Sequence, residues 1–137
     1  MDYSYILKSP EYNLLKTDEH LGKHVILLGL SGSYSYGTNN VNSDIDVRGV
    51  MLNRKSDLIG LTNYEQYVDD HTDTTIYTFQ KIISLLLNCN PNTVELLGMN
   101  QEHYLYLNDF GRELIKLCTI IMELHWRIIM NICWMTW

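Results

Sequence analysis

Two short stretches carry the residue types that chemistry on a phosphate needs. Gly32-Ser33-Tyr34-Ser35-Tyr36-Gly37 is followed, across a polar loop, by Ser43-Asp44-Ile45-Asp46-Val47-Arg48-Gly49-Val50. Ile45, Val47, Val50 and Met51 have the β-branched and apolar character of a buried strand. Side chains two apart on a strand share a face, so Asp44 and Asp46 are expected side by side. Carboxylates that close raise each other's pKa unless a cation neutralises them. All-oxygen donors favour Mg²⁺ or Mn²⁺ over zinc, and Mg²⁺ is commonly held by one or two carboxylates together with substrate phosphates. Two such ions, roughly 3.5–4 Å apart, can clamp the attacking and leaving oxygens of an in-line displacement. The opposing reading is that Asp-x-Asp is a common tripeptide, which on a solvent-facing sheet edge requires no metal.

The glycine-serine stretch favours the first reading. His24 to Leu30 is a short apolar run that reads as a buried strand ending at Ser31-Gly32-Ser33. Glycine lets the backbone approach a ligand closely, and N–H groups exposed after a strand form an anion-binding concavity. The Gly-x-x-x-x-Gly-Lys-Ser/Thr pattern is absent, so any phosphate cradle here is of another kind.

Gly32-Ser33, the eleven-residue step from Ser33 to Asp44, and the Asp44-x-Asp46 pair resemble the signature of the DNA polymerase β nucleotidyltransferase superfamily. The longer match, Gly-Ser-Tyr-x-Tyr-Gly-Thr through Ser-Asp-Ile-Asp-x-Arg-Gly, is similar to its bacterial and phage branch associated with RNA repair. The similarity extends from about Leu21 to Lys116, through Asp73-Thr74-Thr75-Ile76-Tyr77 and Asn88-Cys89-Asn90-Pro91-Asn92. The resemblance implies a mixed-sheet catalytic fold and a divalent metal. It also implies transfer of a nucleoside monophosphate from a nucleotide triphosphate, ATP being the expected donor, with release of pyrophosphate. It further implies a third carboxylate on a later strand, for which Asp69, Asp70 and Asp73 are candidates. Asp73 leads directly into a threonine-rich run of high strand propensity and is the choice here. Asp69 and Asp70 suit the preceding turn. By the resemblance, Asp44 and Asp46 would ligate both metals, Asp73 would serve the nucleophile side, and Gly32 and Ser33 would hold the triphosphate. Arg48 and Lys81 are the candidate basic helpers. The plainer alternatives are an ion-pair role for Arg48 and a solvated helix position for Lys81.

With 137 residues, 46% hydrophobic and 19% charged, the chain has the size and composition of one globular domain. A formal net charge of −6 argues against nonspecific nucleic-acid binding, which demands concentrated Lys and Arg. An RNA acceptor would therefore need a local patch or sequence absent here, and a non-nucleic-acid acceptor is the alternative. Cys89, Cys118 and Cys133 are dispersed and form no Cys-x-x-Cys pair, so neither a disulfide framework nor a zinc site is indicated. The N-terminus lacks a basic segment followed by an apolar core, so the expected setting is cytoplasmic.

Ser9-Pro10-Glu11 reads as a helix start, with the helix over Tyr12 to about Lys16. A helical turn is expected near Tyr34 to Tyr36, a connector at Asn53 to Asp57, and a short strand near Tyr64 to Val68. Thr78 to Leu87 fits an amphipathic helix, broken at Pro91, with a second short helix through Val94-Glu95-Leu96-Leu97. Glu95 is a rival acid, but its leucine-flanked helical position reads as solvent-facing. The expected class is α+β: a small mixed sheet flanked by helices, with an apolar C-terminal helix.

The domain organisation expected is a catalytic domain over 1–116 and a helical tail over 117–137. Lys116, Thr119, Glu123, Arg127 and Asn131 recur every three or four residues, leaving one narrow polar stripe on an otherwise apolar helix. Lys116, Glu123 and Arg127 argue against membrane insertion. Members of the resembled family continue into a further, largely helical region. Two explanations stand for the tail: a truncated or frameshifted gene, or a compact variant that buries it in a homodimer. Three functions are carried forward: nucleotide transfer to an RNA end or other hydroxyl, AMP transfer to a partner protein, and a catalytically silent nucleotide or partner binder.

Overall fold

The computed structural model describes the backbone of residues 6–135 except 39, 41, 42, 61 and 62, and side chains as far as Trp126. Among the described residues five strands form one sheet: β1 (Val25–Ser31), β2 (Asp46–Met51), β3 (Gln66–Asp69), β4 (Thr74–Thr78) and β5 (Tyr104–Leu107). Their order is β3-β4-β2-β1-β5. β2 and β4 pair in parallel and the other three pairings are antiparallel, so the sheet is mixed. β1, Val-Ile-Leu-Leu-Gly-Leu-Ser, is buried along all but its last residue, as expected of a strand covered on both faces.

Two apolar layers cover it. On one side the N-terminal segment, with a 3₁₀ turn at Pro10–Asn13 and helix α1 (Leu14–Thr17), brings Ile6, Tyr12 and Leu15 against Leu28, Leu30, Val47 and Ile76. On the other, α3 (Phe79–Leu87), α4 (Pro91–Leu97) and α5 (Asp109–Met135) bring Ile82, Leu86, Leu96 and Leu114 against Ile26 and Val50. Thr78 caps α3 by accepting a hydrogen bond from the Lys81 N–H at 3.3 Å. The architecture is an α+β fold with helices flanking a small mixed sheet, consistent with a nucleotidyltransferase fold.

Several elements differ from expectation. The stretch read as a connector at Asn53 to Asp57 instead enters a helix, α2 (Lys55–Ile59). The Asp57 carboxylate accepts from the Arg54 N–H at 3.1 Å and so satisfies a donor at that helix's start. The break before the second helix is present, but that helix starts at Pro91 and not at Val94, because the missing N–H of proline costs nothing at the first helical position and Asn90 caps the end by accepting from the Asn92 N–H. β5 was not anticipated. Its Tyr-Leu-Tyr-Leu sequence has no β-branched residue, and it pairs with β1 at the edge of the sheet formed by the described residues.

The C-terminal helix forms, but residues 116 and 117 lie within one uninterrupted helix, so no break in secondary structure marks the expected boundary. Gly111 is set against β1 so closely that a Cβ would collide with the Ile26 carbonyl oxygen. Leu114 and Cys118 follow it into the core, whereas Ile120, Leu124 and Trp126 are exposed. Among the described residues no helix is long and apolar enough to cross a membrane.

Unequal costs are therefore expected along α5. Leu114→Ala should lower unfolding free energy by about 2–5 kcal/mol, and Ile120→Ala, at 54% exposure, by less than about 0.5 kcal/mol. Urea denaturation of the two variants tests this docking, and equal losses would contradict it.

Candidate functional site

Strand register brings the polar groups together. Ser31, the last residue of β1, is paired with Asp46, the first of β2, and Val47 is paired with Thr74, the first of β4. The end of β1 and the starts of β2 and β4 thus share one end of the sheet. Asp73 immediately precedes β4, and its carbonyl accepts from the Val47 N–H at 3.1 Å. Its φ of +43° lies in the left-handed region, which aspartate enters at less cost than β-branched residues. Asp69 and Thr72 close the preceding turn, the Thr72 hydroxyl donating to the Asp69 carboxylate at 2.8 Å.

The parallel register that pairs Val47 with Thr74 sets the Asp73 carboxyl beside that of Asp46, close enough for a hydrogen bond between the two to raise the Asp46 pKa. Such a bond needs a shared proton. That bond, burial and the neighbouring Asp73 charge push the Asp46 carboxyl up to about 6, while the Arg48 charge pulls it down and the Asp44 charge adds a further, smaller upward push. Gly32 stands directly against this pair. Its φ is +66°, and a Cβ at that position would overlap the Asp46 carboxylate. Glycine is therefore demanded twice, by backbone conformation and by close approach. The following turn is closed by Ser35 N–H to the Gly32 carbonyl at 3.1 Å and Thr38 N–H to the Ser33 carbonyl at 3.0 Å.

Of the residues singled out from sequence, Gly32, Asp46 and Asp73 meet at this sheet end. Ser33 lies on the same turn, half-buried, and Arg48 lies two residues along β2 from Asp46. Asp44 departs from the expected strand pairing with Asp46. β2 begins only at Asp46, and the exposed Asp44 precedes it. The carboxyl that Asp46 engages is Asp73's, delivered by the parallel partner strand. Asp44 and Asp73 both line a cleft of about 780 Å³, with Tyr12, Ser43, Ile45 and His71 also in its wall.

Lys81 is not brought to the acids. It sits in the first turn of α3, beyond the far end of β4 from Asp73, and its Nζ donates to the Glu65 carboxylate at 2.6 Å. The strand between Asp73 and that helix spans five residues, about 17 Å at strand rise. Glu95 also departs from expectation. It is half-buried on α4 and accepts hydrogen bonds from Ser35 Oγ at 2.9 Å and from Ser31 Oγ at 3.5 Å. Its partners lie 60 and 64 positions earlier, so only the packing of α4 on the sheet reveals them.

The carboxylate oxygens of Asp44 and Asp73 on the cleft wall, with Asp46 beside Asp73 behind it, are donors of the kind a hard cation takes. Among the described residues no three His, Cys, Asp or Glu side chains converge closely enough to hold a metal by themselves. Two carboxylates already in contact, Asp46 and Asp73, suffice for Mg²⁺ when substrate phosphates complete the coordination.

Residues 9–116 match the family described as the RNA repair pathway DNA polymerase beta family, RlaP. The match runs from the N-terminal segment through both halves of the site and into the first turns of α5. No curated protein and no solved structure matches the chain.

The Asp46 shift has a definite sign in stability. Its folded pKa, about 6, is raised above the ordinary 3.8. The stabilisation it reflects is thus fully present below the lower value and lost as pH rises through the upper one. In metal-free solution the melting temperature of the wild type, relative to that of Asp46→Asn, should decline between about pH 4 and 6. A constant difference across that range would contradict the shared-proton pair.

Proposed function

Because the chain belongs to the RNA repair pathway DNA polymerase beta family, we propose that it is a metal-dependent nucleotidyltransferase. It moves a nucleoside monophosphate from a nucleotide triphosphate, ATP in the first instance, to the hydroxyl of an RNA end. The observation that carries this reading is the meeting of the Gly32 turn with the hydrogen-bonded Asp46–Asp73 pair at one end of the sheet.

Each part of the arrangement has a role in that reaction. Gly32 and Ser33 offer backbone and hydroxyl groups to the triphosphate without a lysine. Arg48, whose charge already acts on Asp46, offsets phosphate charge beside the acids. Asp46 and Asp73 would hold Mg²⁺ or Mn²⁺, with Asp44 on the cleft wall as a further oxygen donor. The metal, when bound, would supply a Lewis acid against the charge that builds on the phosphate oxygens. Asp73 borders the cleft, where it can orient the acceptor hydroxyl and take its proton. The hydroxyl oxygen bonds to the α-phosphorus, the α–β anhydride bond breaks, and pyrophosphate leaves with that electron pair.

Pyrophosphate release with each of the four ribonucleotide triphosphates, Mg²⁺ and an RNA oligonucleotide tests the proposal. Asp46→Asn and Asp73→Asn should each lower the rate by at least about 100-fold. Lys81→Ala, which lies outside the site, should remain within about twofold of the wild type. Full activity in either aspartate variant would overturn the assignment.

A further inference from the structure

The Gly32–Gly37 turn must keep one shape if it is to receive a triphosphate, yet both its glycines are at φ +66°, and no side chain at Gly37 restrains it. A carboxylate from outside the turn holds it. Glu95, on α4, accepts from Ser35 Oγ at 2.9 Å and lies 3.5 Å from Ser31 Oγ at the end of β1. Ser35 Oγ also lies 3.0 Å from the Gly32 carbonyl, so its single proton has a choice of acceptors, of which a charged carboxylate is the stronger. Glu95 is itself held rigidly. The neighbouring Leu96 and Leu97 are buried in the helical layer, and the Tyr104 hydroxyl donates to the Leu96 carbonyl at 3.1 Å.

We propose that Glu95 is a positioning residue for the triphosphate: it ties Ser31 and Ser35 to α4 and so fixes the turn that Gly32 brings against Asp46. This rests on the reading of that turn as the triphosphate site. Glu95 touches no reacting atom in this role. Its removal should therefore weaken nucleotide capture more than the chemical step.

Two measurements on the full chain test it. In the transfer assay, Glu95→Ala should raise KM for the triphosphate about tenfold, with kcat changed less than about threefold. Glu95→Gln, which retains an oxygen acceptor, should restore most of the loss. Ser35→Ala should reproduce part of the effect, and the double variant should be no worse than Glu95→Ala alone, since both remove one interaction. A fall in kcat at unchanged KM, or additive losses, would overturn the proposal. Hydrogen exchange of the backbone amides of Ser33 to Gly37 gives a second readout that needs no nucleotide. Exchange there should quicken in Glu95→Ala and in Ser35→Ala, and unaltered protection in both would overturn the tether. If the wild type neither bound nor turned over any triphosphate, the nucleotide reading would fail, and the proposal for the triphosphate with it. The exchange result would then show whether the tether itself exists.

Discussion

The position of β2 between an antiparallel neighbour and a parallel one is the constraint on which the rest of the structure depends. Antiparallel pairing with β1 returns the chain to the place where β1 ended, which sets Ser31 and Gly32 beside Asp46. Parallel pairing with β4 makes the later strand start where β2 starts, which sets Asp73 beside the same carboxylate. An all-antiparallel arrangement would have carried one of these groups to the opposite end of the sheet. Lys81 shows the result of that separation: it follows the far end of β4 and pairs there with Glu65.

The apolar layers and the polar sheet end divide the labour of the fold. Val47, Leu30 and Ile76 are buried beneath the N-terminal segment, and Ile26 and Val50 beneath Ile82 and Leu86 of α3. Burial of this kind is the main favourable contribution to folding. It leaves room for unfavourable features at the sheet end: a left-handed aspartate, a half-buried Asp46 carboxyl beside a second acid and a turn bounded by two left-handed glycines. Such features persist only where the surrounding packing over-determines them.

Much of this was legible in the sequence because it follows from local chemistry. The apolar run of β1, the amphipathic α3, the glycine turn and the acid preceding a threonine-rich strand are all marked by neighbouring residues. What escaped depends on distant ones. Asp44 and Asp46 were expected as strand partners from their spacing, but the strand begins at Asp46, and its carboxyl partner comes from β4. Glu95 reads as a surface acid until α4 is laid against β1. Arg54 and Asp57 make the helical start of α2 through a contact three residues apart that composition alone reads as polar connector. β5 is a four-residue strand whose pairing partner, β1, lies more than seventy positions earlier.

The carboxyl pair has a consequence for inheritance. In the absence of bound cation, two acids that share a proton make the ionised form harder to reach, and an asparagine at either position keeps a hydrogen-bonding side chain without that conflict. Asparagine also enters the left-handed backbone that Asp73 adopts. An inherited asparagine at either position would therefore leave the fold standing, and the case for an acid at each lies in the cation the pair would hold.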